Sequence, residues 1–232
     1  MILSAAEWQI VMLSLRVSCL AILCTLPVAF GLAWILARRN FPGKVLLDAL
    51  VHMPLVLPPV ITGWFLLLLF GANGPVGRFL ESWLGVTVMF RWTGAALAAA
   101  VMALPLMVRA MRLSLESVDR RLEGAARTLG AGRWKTFAEV TLPLASPGVV
   151  AGMVLGLARS LGEFGATITF VSNIPGQTQT LPLAIYTGLQ LPGNEAAVTR
   201  LALISVALSL GALVLSEWLS RRSGNGKGRH VL

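Results

Sequence analysis

The sequence predicts an all-α polytopic membrane protein of about five transmembrane helices, with its N-terminus outside and its C-terminus in the cytoplasm. Three observations carry this expectation. Of 232 residues, 56% are hydrophobic and only 12% are charged, whereas a soluble domain holds about a quarter charged residues. Apolar runs close to the roughly 20 residues that cross a bilayer as a helix recur along the chain. Lysines and arginines gather between alternate runs, which sets an orientation. Barrel strands would alternate polar and apolar residues over about ten positions. Runs such as GWFLLLLF and ALAAAVMALPLMV do not alternate, and a helix pairs its own backbone groups where no water can.

The first span is expected at residues 10–37. The preceding MILSAAEWQIVML lacks a basic leader and the apolar run exceeds that of a signal peptide, so the span is expected to be retained. Cys19 and Cys24 are five residues apart and do not share a helix face. They are expected to be packing residues, neither a disulfide nor a metal pair. His52 and His230 belong to no ligand spacing, and no metal site is expected. Arg16 lies inside this span without a partner that spacing can name.

The second span, 50–70, carries Pro54, Pro58 and Pro59 in its cytoplasmic half. Each proline removes a backbone donor and pushes its predecessor out of the α region. Two readings stay open: a proline-rich helix start, or a broken helix lining a polar path. The third span is expected at 93–111 and the fourth at 149–171. Ser146 is expected to cap the fourth and Pro147 to take its first position. Gly148, Gly152 and Gly156 then form a groove on one face, where another helix can approach closely. Further along, Arg159 and Glu163 are spaced to pair. Charges in the bilayer are costly and face the bundle interior, so the pair is either self-neutralising structure or part of a path or gate. Thr167 is counted with Pro58, Pro59, Arg159 and Glu163 as a candidate pathway or gate residue. The fifth span is expected at 196–219. The membrane domain thus covers 10–219, followed by a basic tail, 220–232, expected to be disordered.

Fourteen of the nineteen basic residues lie in three segments: Arg38 to Lys44, Arg109 to Lys135 and Arg221 to Arg229. With five spans these share one side, the cytoplasm by the positive-inside rule. Only Arg78, Arg91 and Arg200 fall on the other side. The net charge of +9 is therefore a topology signal, and nucleic acid is not an expected partner. Two outer segments, 71–92 and 172–195, are long enough to receive an external partner; the first is amphipathic, the second polar and turn-rich.

The cytoplasmic loop, 112–147, contains EGAARTLGAGRWKTFAEVTLP. Ser117 or Asp119 can cap a short helix through Leu122, Ala125, Ala126 and Leu129. Gly130 suits its left-handed stop. A second short helix should place Trp134, Phe137 and Val140 on one stripe and end at Pro143. Such a loop is either a helix lying on the lipid surface or a docking knob for a soluble protein.

Glu123, Ala125, Ala126, Gly130 and, nine residues on, Val140-x-Leu142-Pro143 resemble the EAA loop of binding-protein-dependent ABC importer permeases, whose pattern is E-A-A-x3-G-x9-I-x-L-P. Gly124 is inserted after the glutamate and Val140 replaces isoleucine. Within that family, HMPLVLPPVITGW, ARSLGEFGATITFVSNIPGQTQTLPLAIYTGLQLPG and SEWLSRR look like the molybdate branch, though sulfate permeases share a similar GEFGA piece. Some molybdate permeases carry an additional N-terminal span, which this sequence is expected to lack. The resemblance implies a type I ABC importer permease fold in the bacterial inner membrane. It implies a permease homodimer in lipid, two ATP-binding cassette ATPases carrying ATP and Mg, and a periplasmic molybdate-binding protein. It implies that Glu123, Ala125, Ala126, Gly130, Val140, Leu142 and Pro143 couple to the ATPase. The chain has no GxxxxGK[ST] loop, so no cofactor and no ATP are expected on it. No Ser/His, HExxH or paired-aspartate set is present, so a catalytic role is not expected. The implied cargo is molybdate, with tungstate close behind; a sulfate/thiosulfate permease is the alternative. An ion-coupled carrier working alone fits less well, because such carriers show paired repeats and intramembrane acids.

Overall fold

The computed structural model describes residues 3–225. Its helices are α1 (Ala5–Arg38), α2 (Lys44–Val56), α3 (Pro59–Phe70), α4 (Pro75–Leu84), α5 (Trp92–Ser117), α6 (Arg120–Thr128), α7 (Arg133–Thr136), α8 (Leu142–Leu161), α9 (Gly165–Val171), α10 (Leu181–Leu189) and α11 (Glu195–Asn225). A π-helical turn, Phe137–Thr141, joins α7 to α8. Four segments are long and apolar enough to cross a membrane: α1, α5, Arg133–Leu161 and Glu195–Leu215. The helices α2 and α3, bent by 115° at their junction, meet the same criterion only when taken together.

Of the two readings left open for the segment 50–70, the bend selects the broken helix. Leu57 and Pro58 are extended, and Pro59 opens α3. Two adjacent prolines remove two donors and exclude the α region from the residues before them. The fourth span is corrected at both ends. It starts earlier, running on from Arg133 as one helix, and it breaks at residues 162–164 before α9. Ser146 does not cap it and Pro147 is internal. Pro147 cannot donate to the carbonyl of Pro143, four residues back. The Ser146 hydroxyl donates to that carbonyl instead, at 2.8 Å, so the helix continues through its proline. Pro143 likewise does not end the preceding helix. It removes the donor owed to Glu139, and the backbone widens into the π-turn, with Leu142 N–H donating to the Phe137 carbonyl.

The core lies where α1, α5 and α8 meet. Ile22, Ala29, Ala33 and Leu36 pack on Met107, Val108, Met111 and Leu115. In a second cluster, Val17 and Ala21 pack with Ala95 to Met102 and with Phe170 of α9. The stripe Gly148, Gly152, Gly156 lies against α5. A Cβ on Gly148 would collide with Ser114, and one on Gly156 would lie 2.8 Å from both Met107 Sδ and Ile22 Cδ1. Small residues are what permit helices to approach this closely in lipid.

Arg16 lies with its guanidinium over the Trp92 ring, 3.8 Å from the centroid, a cation–π contact that supplies the partner its spacing could not name. Cys19 and Cys24 are free and exposed on the outside of the bundle, not packed as expected, because they lie off the α1 face that meets α5. The turn-rich segment 172–195 holds more structure than its composition suggests. It contains α10, whose first N–H, on Leu181, donates to the buried Ser14 hydroxyl at 2.7 Å. Glu7 at the start of α1 pairs with Arg200 of α11 at 2.8 Å. Helix α11 continues to Asn225, into the segment expected to be a disordered tail. The rest of that expectation, 226–232, lies outside the described residues.

Candidate functional site

The loop between α5 and α8 is organised by one carboxylate. Asp119 caps α6, accepting from Arg121 N–H at 2.9 Å. The helix stops at Gly130, whose φ of +87° is the left-handed geometry that glycine adopts without strain. In the first turn of α6, Glu123 points inward. Its Oε1 accepts from Arg38 Nη2 at 2.8 Å and from the Thr141 hydroxyl at 2.8 Å. The two charged side chains are only 9% and 15% exposed. Glu123 therefore ties three elements together: α6, the end of α1 and the π-turn that begins the α8 span. Beside it, Trp34 of α1 meets Phe137 edge-on, with centroids 5.2 Å apart, and Phe30 meets Phe137 at 6.1 Å.

The other residues of the loop motif divide by exposure. Ala126 and Val140 are half-buried; Ala125, Leu142 and Pro143 are exposed. The exposed apolar surface of the loop comes from residues between them. Leu129 is 88% exposed and Trp134 85%, with Leu122 half exposed. Sequence reading placed Glu123 on the knob, whereas its side chain is a strut beneath it. Arg38, Thr141 and Trp34 were missed as members of this site. The pairing joins residues 85 positions apart, and no local spacing reveals it.

A second site forms where the two broken crossings meet. A Cβ on Gly165 would lie 2.7 Å from Pro59 Cβ, and one on Gly63 would lie 2.6 Å from the Ala166 carbonyl oxygen. The start of α9 thus seats directly on the start of α3. Glu163, in the break, is buried. Its Oε2 sits 2.6 Å from Arg159 Nη1, and its Oε1 accepts from Ala166 N–H at 2.8 Å. It closes an ion pair with the end of α8 and also caps α9. Thr167 is buried in α9, while Pro58 and Pro59 are exposed. The hydroxyls of Thr62 and Ser160 are buried without a partner. Of the five candidate pathway residues, the structure joins Arg159 to Glu163 directly and sets Pro59 against α9 one residue before Ala166. It gives Pro58 and Thr167 no polar contact with that pair. Among the described residues no group of three or more His, Cys, Asp or Glu could hold a metal.

Comparison with known proteins places these features in context. The model of a family described as binding-protein-dependent transport system inner membrane component matches residues 29–225. The chain is 58% identical over 229 residues, 99% of its length and 100% of the relative's, to the molybdenum transport system permease protein ModB of Escherichia coli (strain K12). It is 42% identical over 197 residues, 84% of its length and 70% of the relative's, to the sulfate transport system permease protein CysT of the same organism. Its fold is similar to that of a bacterial ABC transporter involved in the import of the acidic polysaccharide alginate, with a TM-score of 0.74 at 20% identity, covering 95% of this chain and 80% of that one.

Proposed function

This chain belongs to the family of binding-protein-dependent transport system inner membrane components, and on that premise we propose that it is the permease subunit of an ATP-driven importer that carries molybdate into the cytoplasm. The observation that supports the cargo most is the full-length similarity to a molybdenum permease, 58% against 42% for the sulfate permease over a shorter stretch. Two copies of this chain would form the pathway, two ATPase subunits would sit below them, and a periplasmic binding protein would deliver the oxyanion.

The structure suggests how such a machine is geared. The exposed Leu122 and Leu129 of the loop would dock in the ATPase. A push on α6 passes through Glu123 to the end of α1 and to the π-turn. From there α8, twenty residues long and so about 30 Å by helical rise, carries the movement to the break at residues 162–164. That break packs on the break between α2 and α3, so the two would shift together. At the break, Arg159 is already held by Glu163. A free cation would trap a dianion, whereas a cation shared with a carboxylate attracts it only modestly; passage requires both easy binding and easy release.

Uptake into vesicles containing the complete complex, binding protein and ATP is expected to favour molybdate and to persist in a large excess of sulfate. Equal uptake of sulfate, competing at equal concentration, would move the assignment to the sulfate branch. The orientation is tested separately. Single cysteines at Ser4 and Ser223 should be reached by an impermeant thiol reagent from the periplasmic side only at Ser4; labelling only at Ser223 inverts the topology.

A further inference from the structure

We propose that an anionic phospholipid of the cytoplasmic leaflet binds between the end of α1 and the α7/π-turn segment, with its phosphate held by Arg39, Arg127 and Arg133. An open apolar groove of about 640 Å³ is lined by Phe30, Gly31, Trp34, Ile35, Trp134 and Phe137, together with Arg39 and Arg133. Trp34, Phe137, Arg39 and Arg133 also line an adjoining polar pocket of about 310 Å³, together with Arg127, Glu123 and Thr136. The apolar groove and the polar pocket therefore share four lining residues, and three arginines line the two together. None of the three makes an ion pair or side-chain hydrogen bond among the described residues. The one acid in the pocket, Glu123, is already engaged by Arg38 and Thr141.

Depth decides between a lipid and a soluble protein. Phe30 lies nine residues up α1 from Arg39, about 13 Å by helical rise, inside an apolar run that crosses the membrane. An ATPase cannot reach it; an acyl chain can. Basic pockets on the cytoplasmic side of membrane helices bind anionic headgroups, and an aromatic belt is found at that level. The leaflet rests on the proposed orientation, but the binding does not, so cysteine labelling and lipid retention fail independently.

The test uses the complete transporter extracted from vesicles of phosphatidylcholine with a minor share of phosphatidylglycerol, with retained lipids counted by native mass spectrometry. The wild type is expected to retain phosphatidylglycerol in preference. Each basic residue near an anionic surface contributes about a fivefold factor, so Arg39→Gln, Arg127→Gln and Arg133→Gln together should weaken retention about a hundredfold. Gly31→Leu is the sharper variant. Nothing lies within 4 Å of a Cβ at Gly31, so leucine fills the groove without a clash while all three arginines remain. Retention should fall with ATPase subunits still bound. Unchanged phosphatidylglycerol retention in Gly31→Leu overturns the proposal. So does loss of the ATPase or of the second permease copy from that variant, since the groove would then be a protein interface.

Discussion

Replacing Glu163 with alanine is expected to destabilise the permease by about 3 kcal/mol and to abolish import. Breaking a buried ion pair by removing one partner costs about 3–5 kcal/mol, because the remaining charge is left uncompensated. The lower end applies here, since the Arg159 side chain is a quarter exposed while that of Glu163 is almost wholly buried. The Ala166 N–H also loses its acceptor, uncapping a helix of only seven residues that seats on α3. For a chain of this size, 3 kcal/mol corresponds to a fall of roughly 6–12 °C in melting temperature. Glu163→Gln should fall between, since an amide oxygen can still cap α9 but cannot neutralise Arg159. Thermal unfolding of the purified complex, alongside vesicle uptake, measures both effects. A melting temperature and uptake rate equal to wild type for Glu163→Ala would show that the pair carries neither stability nor transport.

Glu123→Lys should leave membrane insertion intact and cut import by at least about tenfold. The substitution sets a second cation against Arg38 and strips Thr141 of its acceptor, in a pocket that already holds three further arginines. Residues in direct contact are coupled by about 0.5–3 kcal/mol, and a double-mutant cycle isolates that coupling. Restoring the pair with the charges exchanged, Arg38→Glu in the Glu123→Lys chain, should recover part of the import and the ATP-dependence. Wild-type uptake by Glu123→Lys alone would remove the strut from the mechanism. A defect that the exchanged pair does not relieve at all would mean that Glu123 acts on the ATPase, not within this chain.

The loop shows how far sequence reading reaches. The spacing from Glu123 to Pro143 made the loop between α5 and α8 legible as one unit, and the left-handed stop at Gly130 followed from the residue type alone. The direction of Glu123 did not follow. An amphipathic helix of nine residues has one inner face, and which side chain occupies it depends on what lies above. That neighbour is the end of α1, 85 residues away. The prolines tell a similar story. Pro58 and Pro59 bend the chain because nothing replaces their lost donors. Pro147 does not, because the Ser146 hydroxyl satisfies the orphaned carbonyl.

The sequence by itself determined the helical class, the approximate apolar segments, the polar loop between α5 and α8 and the family motif. Each of these is written in composition, in runs of bilayer length or in fixed local spacing. Only the tertiary structure decided that the fourth apolar segment breaks after α8, that this break packs on the proline break between α2 and α3, and that Glu163 and Glu123 each serve two partners at once. Those outcomes depend on which helix lies within a Cβ's reach of which glycine, and on where a carboxylate finds its donors. Both are set by contacts between segments far apart in the chain, which no local pattern of residues encodes.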